Sequence, residues 1–184
     1  MALKRKTLFY YCLTDMPVSM ALFPVIVFVP KFYTTDMAVP MALAATIMLA
    51  VRISDVFTDP FFGFITDKYP TPWGRRRFWI ALATPIMMLA IYRLFFPPEG
   101  SGAFHMGVWM FTLSIATTMM IIPYYAWAAE LSPDYNERSR ITGARSMMGV
   151  VGSLVAQLAP AAALLFFGMG GSGVVLHIVG ITML

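Results

Sequence analysis

The stretch AVPMALAATIMLAVRISDVFTDPFFGFIT, residues 38–66, is a long apolar run that contains three charged side chains, Arg52, Asp55 and Asp59. A helix that spans a bilayer needs about 20 apolar residues, and this run is longer than that. Charged groups at membrane depth are costly and rare, so three of them on one span require an explanation. The stretch predicts a membrane helix that carries a polar stripe.

The charged residues and one glycine lie on the same side of this predicted helix. At about 100° per residue they share a face about 80° wide. The four residues are Arg52, Asp55, Asp59 and Gly63. At about 1.5 Å per residue, Arg52 is about 22 Å from Asp67 and about 24 Å from Asp36. Arg52 is therefore expected near the middle of the bilayer, with the two carboxylates deeper towards the Asp67 end.

Two carboxylates one helical turn apart repel each other when both are ionised, and a low-dielectric site strengthens that repulsion. The neutralising charge can be Arg52, a bound metal ion such as Na⁺, or a proton. One interpretation is an internal network of Arg52 with the aspartates that only holds helices together. The other is a cation-coupling site at Asp55 and Asp59, because one ion pair satisfies Arg52 and leaves a second buried aspartate.

The composition of the whole chain agrees with a membrane protein. Its 184 residues are 59% hydrophobic and 12% charged, and the mean hydropathy is +0.74. Soluble domains are about 45–50% apolar and about 25% charged. The net charge of +4 comes from short basic clusters between apolar runs, which is typical of cytoplasmic loops and gives no sign of a nucleic-acid partner. The single Cys12 excludes an internal disulfide framework.

The apolar runs predict a single transmembrane helical domain over residues 1–184. Its spans are expected at 8–30, 38–66, 78–96, 104–131 and 146–168, with an incomplete sixth from 173 to 184. Basic residues before the first span and after the second and fourth predict a cytoplasmic N-terminus. The location expected from this pattern is a bacterial inner membrane. A sixth span that ends at Leu184 is too short to cross, so we expect part of a larger architecture.

The first predicted span is unusual because it contains Asp15 and three prolines, Pro17, Pro24 and Pro30. Proline removes a backbone donor and bends or breaks a helix. Membrane helices tolerate this where neighbouring groups or water bind the freed carbonyls. The span is either a bent packing helix or a broken helix that lines a cavity and directs Asp15 into it.

Two long motifs resemble one family of membrane transporters. The first is RISDVFTDPFFGFITDKYPTPWGRRRFW, residues 52–79, and the second is IPYYAWAAELSPDYNERSRITGARS, residues 122–146. Both resemble the glycoside–pentoside–hexuronide:cation symporters of the major facilitator superfamily, which include the melibiose permeases. The resemblance runs over essentially the whole chain in collinear order. It implies an all-α fold, the N-terminal six-helix bundle of a major facilitator transporter, and no enzymatic activity.

The resemblance also implies roles for particular residues. Asp55 and Asp59 would bind the coupling cation, Na⁺ or H⁺, and no other cofactor is implied. Four residues would bind a small polar solute such as a sugar: Asp15, Arg145, Tyr124 and Tyr125. Eight would form charge-network or gating contacts: Arg52, Gly63, Asp67, Gly74, Arg75, Arg76, Glu130 and Arg138. A carboxylate and a guanidinium together supply the acceptor and donors that sugar hydroxyls require.

The function stays open between two hypotheses. Where the family carries an acidic residue two positions before the proline of the fourth span, this chain has Ile121, which leaves the solute and the coupling ion open. The first hypothesis is a cation-coupled transporter that acts with a second six-helix half. The second is a transporter-derived accessory subunit that packs against a larger membrane complex and transports nothing. In both, the lipid bilayer is the surrounding partner.

Overall fold

The computed structural model describes residues 5–68, 74 and 76–167, and the side chains among them except those of residues 5, 7 and 159–167. All regular structure in these residues is α-helical, as the sequence predicts. The elements are α1 (Arg5–Leu13), α2 (Asp15–Thr35), α3 (Met41–Lys68), α4 (Arg77–Phe95), α5 (Ala103–Leu131) and α6 (Tyr135–Phe167).

Within the described part of the chain, four helical segments are long and apolar enough to cross a membrane. They are Leu8–Thr35, Met41–Lys68, Arg77–Phe95 and Ala103–Leu131. These bounds match the first four predicted spans to within a few residues. The fifth predicted span, 146–168, falls almost entirely within α6 and remains a prediction. The incomplete sixth, 173–184, lies outside the described residues.

The described helices belong to two compact units. The first unit holds α1, α2 as far as Val29, and α6; the second holds the remainder of α2 from Pro30, then α3, α4 and α5 as far as Trp127.

In the first unit, the first predicted span is broken into α1 and α2 at Thr14. A continuous helix would need the Pro17 nitrogen to donate to the carbonyl of Leu13, and proline has no N–H. The chain instead turns tightly, with the Thr14 N–H donating to the Tyr11 carbonyl at 3.3 Å. The break makes Asp15 the first residue of α2, where the positive end of the helix dipole favours its carboxylate.

The start of α6 differs from the sequence-based expectation. The segment with Arg138 and Arg145 was expected as a cytoplasmic loop, but it is helical from Tyr135 onward. Asp134 explains the early start, because its Oδ1 accepts from the backbone N–H groups of Asn136 at 2.7 Å and Glu137 at 3.2 Å. These are the N2 and N3 donors that an N-cap residue satisfies.

Ser132 completes the cap of α6. Its hydroxyl donates to Glu137 Oε2 at 2.6 Å and accepts from the Asp134 N–H at 3.2 Å. Its carbonyl accepts from Arg138 Nε at 2.7 Å. Residues 132–134 are the whole link between α5 and α6, so this network fixes the direction in which α6 leaves the turn.

In the second unit, α4 and α5 carry most of the buried side chains. Small residues such as Ala83, Ala90 and Ala116 are fully buried, which permits helices to approach closely in a membrane. Pro60, Pro85 and Pro123 lie inside α3, α4 and α5 without ending them. By contrast, α3 buries few residues, and its bulky Phe57 and Phe64 are exposed.

Replacing Asp134 with alanine is expected to destabilise the start of α6, because the N2 and N3 donors lose their acceptor. The expected cost is about 1 kcal/mol, whereas Asp134→Asn keeps a capping oxygen and costs only a few tenths. Thermal unfolding of both variants in one detergent, followed by far-UV circular dichroism, measures the difference. Equal melting curves for the two variants would contradict the cap.

Candidate functional site

The two aspartates of α3 are paired with two hydroxyls of α5. The Ser114 hydroxyl donates to Asp55 Oδ1, and the Thr118 hydroxyl donates to Asp59 Oδ1 at 2.8 Å. In both pairs the partners are 59 positions apart in the sequence. Because the residue numbers of the partners rise together along the two helices, α3 and α5 run parallel. The four residues between the aspartates of α3 match the four between the hydroxyl residues of α5.

The same register continues above and below the two pairs. A Cβ added at Gly107 of α5 would lie 3.8 Å from Ile47 Cγ2, and one added at Gly63 of α3 would lie 4.0 Å from Ile122 Cγ2. Both are ordinary van der Waals distances, so Gly63 marks a contact with α5 without a steric need for glycine. The hydroxyl–carboxylate pairs therefore lie in the middle of a continuous helix–helix seam.

Asp55 has a second partner on its own helix. Arg52 Nη1 lies 3.3 Å from Asp55 Oδ2, and the arginine side chain is 66% exposed while that of Asp55 is 18% exposed. One carboxylate oxygen of Asp55 thus faces a cation and the other accepts from a hydroxyl. Charge-assisted hydrogen bonds are stronger than neutral ones, so both contacts help to hold the Asp55 side chain in place.

The polar stripe lies at the border between the packed and the open sides of α3. Ala44 and Val51 are buried on one side of it, whereas Ile53, Phe57 and Phe61 are exposed on the other. Asp59 itself is exposed despite its hydrogen bond to Thr118. The stripe is therefore accessible from outside the unit, which a closed internal ion-pair network would not be.

In the described part of the chain, the hydrogen-bonded side chains of this site offer oxygen atoms to an ion. Among residues 5–68, 74 and 76–167, no group of three or more His, Cys, Asp or Glu side chains could hold a metal ion. A hard cation at Asp55 and Asp59 would have to take further oxygens from hydroxyls, main-chain carbonyls or water. Ser114 and Thr118 are the hydroxyls already in contact with the two carboxylates.

At the far end of α3, Asp67 faces the start of α4. Arg76 Nη2 lies 3.8 Å from Asp67 Oδ1, with the arginine side chain 11% exposed. Gly74 has a φ of +100°, a left-handed conformation in which a side chain would be strained. Arg75 lies outside the described residues. The arrangement fits a link between α3 and α4, and the gating role of these residues stays a prediction.

In the first unit, Asp15 lies within electrostatic range of Arg145. Asp15 is 7% exposed, and the charge of Arg145 is close enough to act on it. The Asp15 carboxylate also lies against α6 at Gly149, one turn beyond Arg145. A buried carboxylate beside a guanidinium can offer both acceptor and donor to a polar ligand.

The other predicted site residues have mixed surroundings. Tyr124 is buried and Tyr125 is 45% exposed, with their ring centroids 5.8 Å apart. Only Tyr125 therefore presents much of its ring at the surface of the chain. Glu130 is exposed, and Arg138 belongs to the cap of α6.

Sequence reasoning missed Ser114 and Thr118, which carry the hydrogen bonds to the two aspartates. The available signal was their spacing of four residues within an apolar span, which equals the spacing of Asp55 and Asp59. Hydroxyl residues are common in membrane helices, where they often bond their own backbone, as Thr112 does to Val108 at 2.8 Å. The signal is therefore weak until the two helices are known to be neighbours.

Comparison with known proteins identifies the family. The family model described as MFS/sugar transport protein matches residues 10–184. The isoprimeverose transporter of Lactiplantibacillus pentosus is 27% identical over 169 residues, which cover 89% of this chain and 35% of that protein. The glucuronide carrier protein homolog of Escherichia coli K12 is 28% identical, over 81% of this chain and 33% of that protein.

A transporter of another kind also matches. The sodium-dependent lysophosphatidylcholine symporter 1 of Mus musculus is 32% identical, over 68% of this chain and 25% of that protein. The chain thus spans about a quarter to a third of the length of these curated relatives. Together with the helical fold and the apolar spans, these matches show that the chain is an integral membrane protein of the MFS/sugar transport family, within the glycoside–pentoside–hexuronide:cation symporter group that its motifs resemble.

Proposed function

We propose that this chain forms the cation-coupling part of a secondary transporter for a small polar solute of the sugar or glycoside type. The observation that carries the proposal is the accessible pair of carboxylates on α3, each held by a hydroxyl of α5. The names of the curated relatives support a sugar-type solute, since two of them are an isoprimeverose transporter and a glucuronide carrier homolog.

The coupling cation is proposed to bind at Asp55 and Asp59. Arg52 compensates the charge of Asp55. Among the described residues, Asp59 accepts a hydrogen bond from the Thr118 hydroxyl and has no cation within ion-pair distance. A cation that neutralises this second charge lowers the cost of two carboxylates at membrane depth. Either Na⁺ or a proton has that effect, and the sodium-dependent relative favours Na⁺.

The solute is proposed to contact Asp15 and Arg145 in the first unit. The role of Tyr125, in the second unit, as an aromatic surface for a sugar ring stays a separate prediction. Burial of the Asp15 carboxylate next to a guanidinium raises the energetic value of each hydrogen bond to a hydroxyl ligand. Transport then follows alternating access at the membrane midplane, in which two halves rock about the bound solute. The exposed apolar face and the 66% exposed Arg52 side chain of α3 favour a second six-helix half as the partner that covers them.

The direct experiment is uptake of labelled isoprimeverose and a labelled glucuronide into proteoliposomes that contain the chain. Uptake is measured with an inward Na⁺ gradient, an inward proton gradient and no gradient. Gradient-driven accumulation of either solute supports the proposal. If no gradient drives accumulation and the chain purifies from its native membrane in a stoichiometric assembly with other proteins, the accessory-subunit hypothesis replaces it.

Neutralising the aspartates is expected to uncouple transport. Asp55→Asn and Asp59→Asn should each reduce cation-driven accumulation by about tenfold or more, which corresponds to about 1.4 kcal/mol of lost coupling free energy. Glu99→Gln is the matched control, because Glu99 is an exposed carboxylate in a loop. Accumulation that stays unchanged in both aspartate variants would contradict the assignment of the cation site.

Removing the Thr118 hydroxyl is expected to weaken both stability and cation binding. Thr118→Val keeps the side-chain shape but leaves Asp59 Oδ1 without its donor, at a cost of about 1.5–3 kcal/mol. Thr112→Val is the matched control on the same helix, since Thr112 bonds only its own helix backbone in the described contacts. Thermal unfolding in NaCl and in choline chloride at equal concentration measures both effects.

A ligand that binds the folded state raises the unfolding temperature by mass action. For a Na⁺-coupled protein, the wild type and Thr112→Val should melt higher in NaCl, and Thr118→Val should lose most of that rise. A Na⁺-dependent rise that is equal in all three proteins would remove Thr118 from the site.

A further inference from the structure

Gly149 of α6 lies directly against the side chain of Asp15. A Cβ built on Gly149 would be 2.6 Å from Asp15 Oδ2 and 2.9 Å from Ser19 Oγ, and real Cβ contacts essentially never fall below 3.0 Å. Gly149 is buried and helical, so the reason for glycine at this position is space and not backbone conformation. The atom that occupies the space is a carboxylate oxygen.

Gly152, almost one turn further along α6, meets a different part of α2. A Cβ there would collide with the main-chain carbonyl of Met16, the residue after Asp15. Ala156 continues the same side of α6 and is 1% exposed. Two glycines therefore let the first turn of α2 approach α6, one at a side chain and one at the backbone.

A third glycine of α6 gives the contrast. A Cβ built on Gly143 meets nothing within 4 Å, and the residue is exposed. At such a site alanine is favoured over glycine by about 1 kcal/mol, because it restricts the unfolded chain and is the better helix former. The three glycines of α6 thus have different surroundings: Gly143 faces open space, Gly149 contacts a carboxylate, and Gly152 contacts the backbone.

Arg145 precedes Gly149 by four residues, so both lie on the same face of α6. The contact of Asp15 with Gly149 therefore determines how far the Asp15 carboxylate lies from the Arg145 guanidinium. We propose that Gly149 is a positioning residue of the solute site: the absence of a side chain lets the Asp15 carboxylate lie against the face of α6 that also carries Arg145, where both groups can receive solute hydroxyls. This inference rests on the proposed transport function and adds a specific residue to it.

An added methyl group at Gly149 requires the neighbouring side chains to move. It would have to push the Asp15 carboxylate and the Ser19 hydroxyl away from α6, because both lie within 3.0 Å. A displacement on the order of 1 Å in a binding group is enough to cost about a hundredfold in a well-aligned site. The solute should bind more weakly, whereas the rate at which the two halves change conformation should stay the same.

The first test is a double-mutant cycle in thermal stability, which needs no solute. Gly149→Ala should lower the unfolding temperature in the wild type but much less in an Asp15→Ala background, where the colliding carboxylate is gone. Gly152→Ala should be destabilising by the same amount in both backgrounds, because its obstacle is the Met16 backbone. Gly143→Ala should be neutral or stabilising. A Gly149→Ala effect that is the same with and without the Asp15 carboxylate overturns the inference.

The second test is the kinetics of uptake of the labelled glycoside in proteoliposomes. Gly149→Ala should raise the half-saturating concentration about tenfold or more and leave the maximal rate within about twofold, since uniform loss of binding changes affinity and not turnover. Gly143→Ala should change neither. An unchanged half-saturating concentration in Gly149→Ala overturns the positioning role. If the wild type takes up no solute, the proposed function fails, and the stability cycle alone decides whether Gly149 seats the carboxylate.

Discussion

In the second unit, the packing of α3 against α5 depends on one constraint. A charged carboxylate inside a membrane needs hydrogen-bond donors. Asp55 and Asp59 lie on a helix that crosses the bilayer, where water is scarce and an unsatisfied charge is costly. Ser114 and Thr118 supply those donors from a neighbouring helix at matching intervals. This requirement sets the register of α3 against α5, and the contacts of Ile47 with Gly107 and of Gly63 with Ile122 follow from that register.

The first unit meets the same requirement by a different route. Asp15 lies at the start of a helix created by the Pro17 break, where the helix dipole favours a negative charge. Arg145 adds an opposite charge from α6, and Gly149 provides the space for the carboxylate to approach that helix. The acidic residues of the two units thus differ in support: hydroxyl donors and one arginine at Asp55 and Asp59, and a dipole, an arginine and a glycine at Asp15.

The sequence predicted the helical class, the first four spans and the polar stripe, because each depends on local composition and on helical periodicity. It did not predict that α6 would begin at Tyr135. The basic residues indicated a loop there, although Asp134 and Glu137 are typical of a helix N-terminus. Nor did it identify Ser114, Thr118 or the contact of Gly149 with Asp15. Those features depend on which helices are neighbours and at what offset, and periodicity within one helix carries no information about the offset between two.

Equal spacing on α3 and α5 has a mechanical consequence. If one helix slid past the other by four residues, about 6 Å, Asp59 would come opposite Ser114 while Asp55 lost its hydroxyl partner. Such a slide exchanges partners and sacrifices one hydrogen bond, whereas unequal spacing would sacrifice both. A hydrogen bond to a charged group is worth about 1.5–3 kcal/mol. Equal spacing on the two helices therefore halves the free energy of hydrogen bonding that is lost when one helix slides along the other. The contact between α3 and α5 therefore resists separation of the two helices more strongly than it resists sliding of one helix along the other.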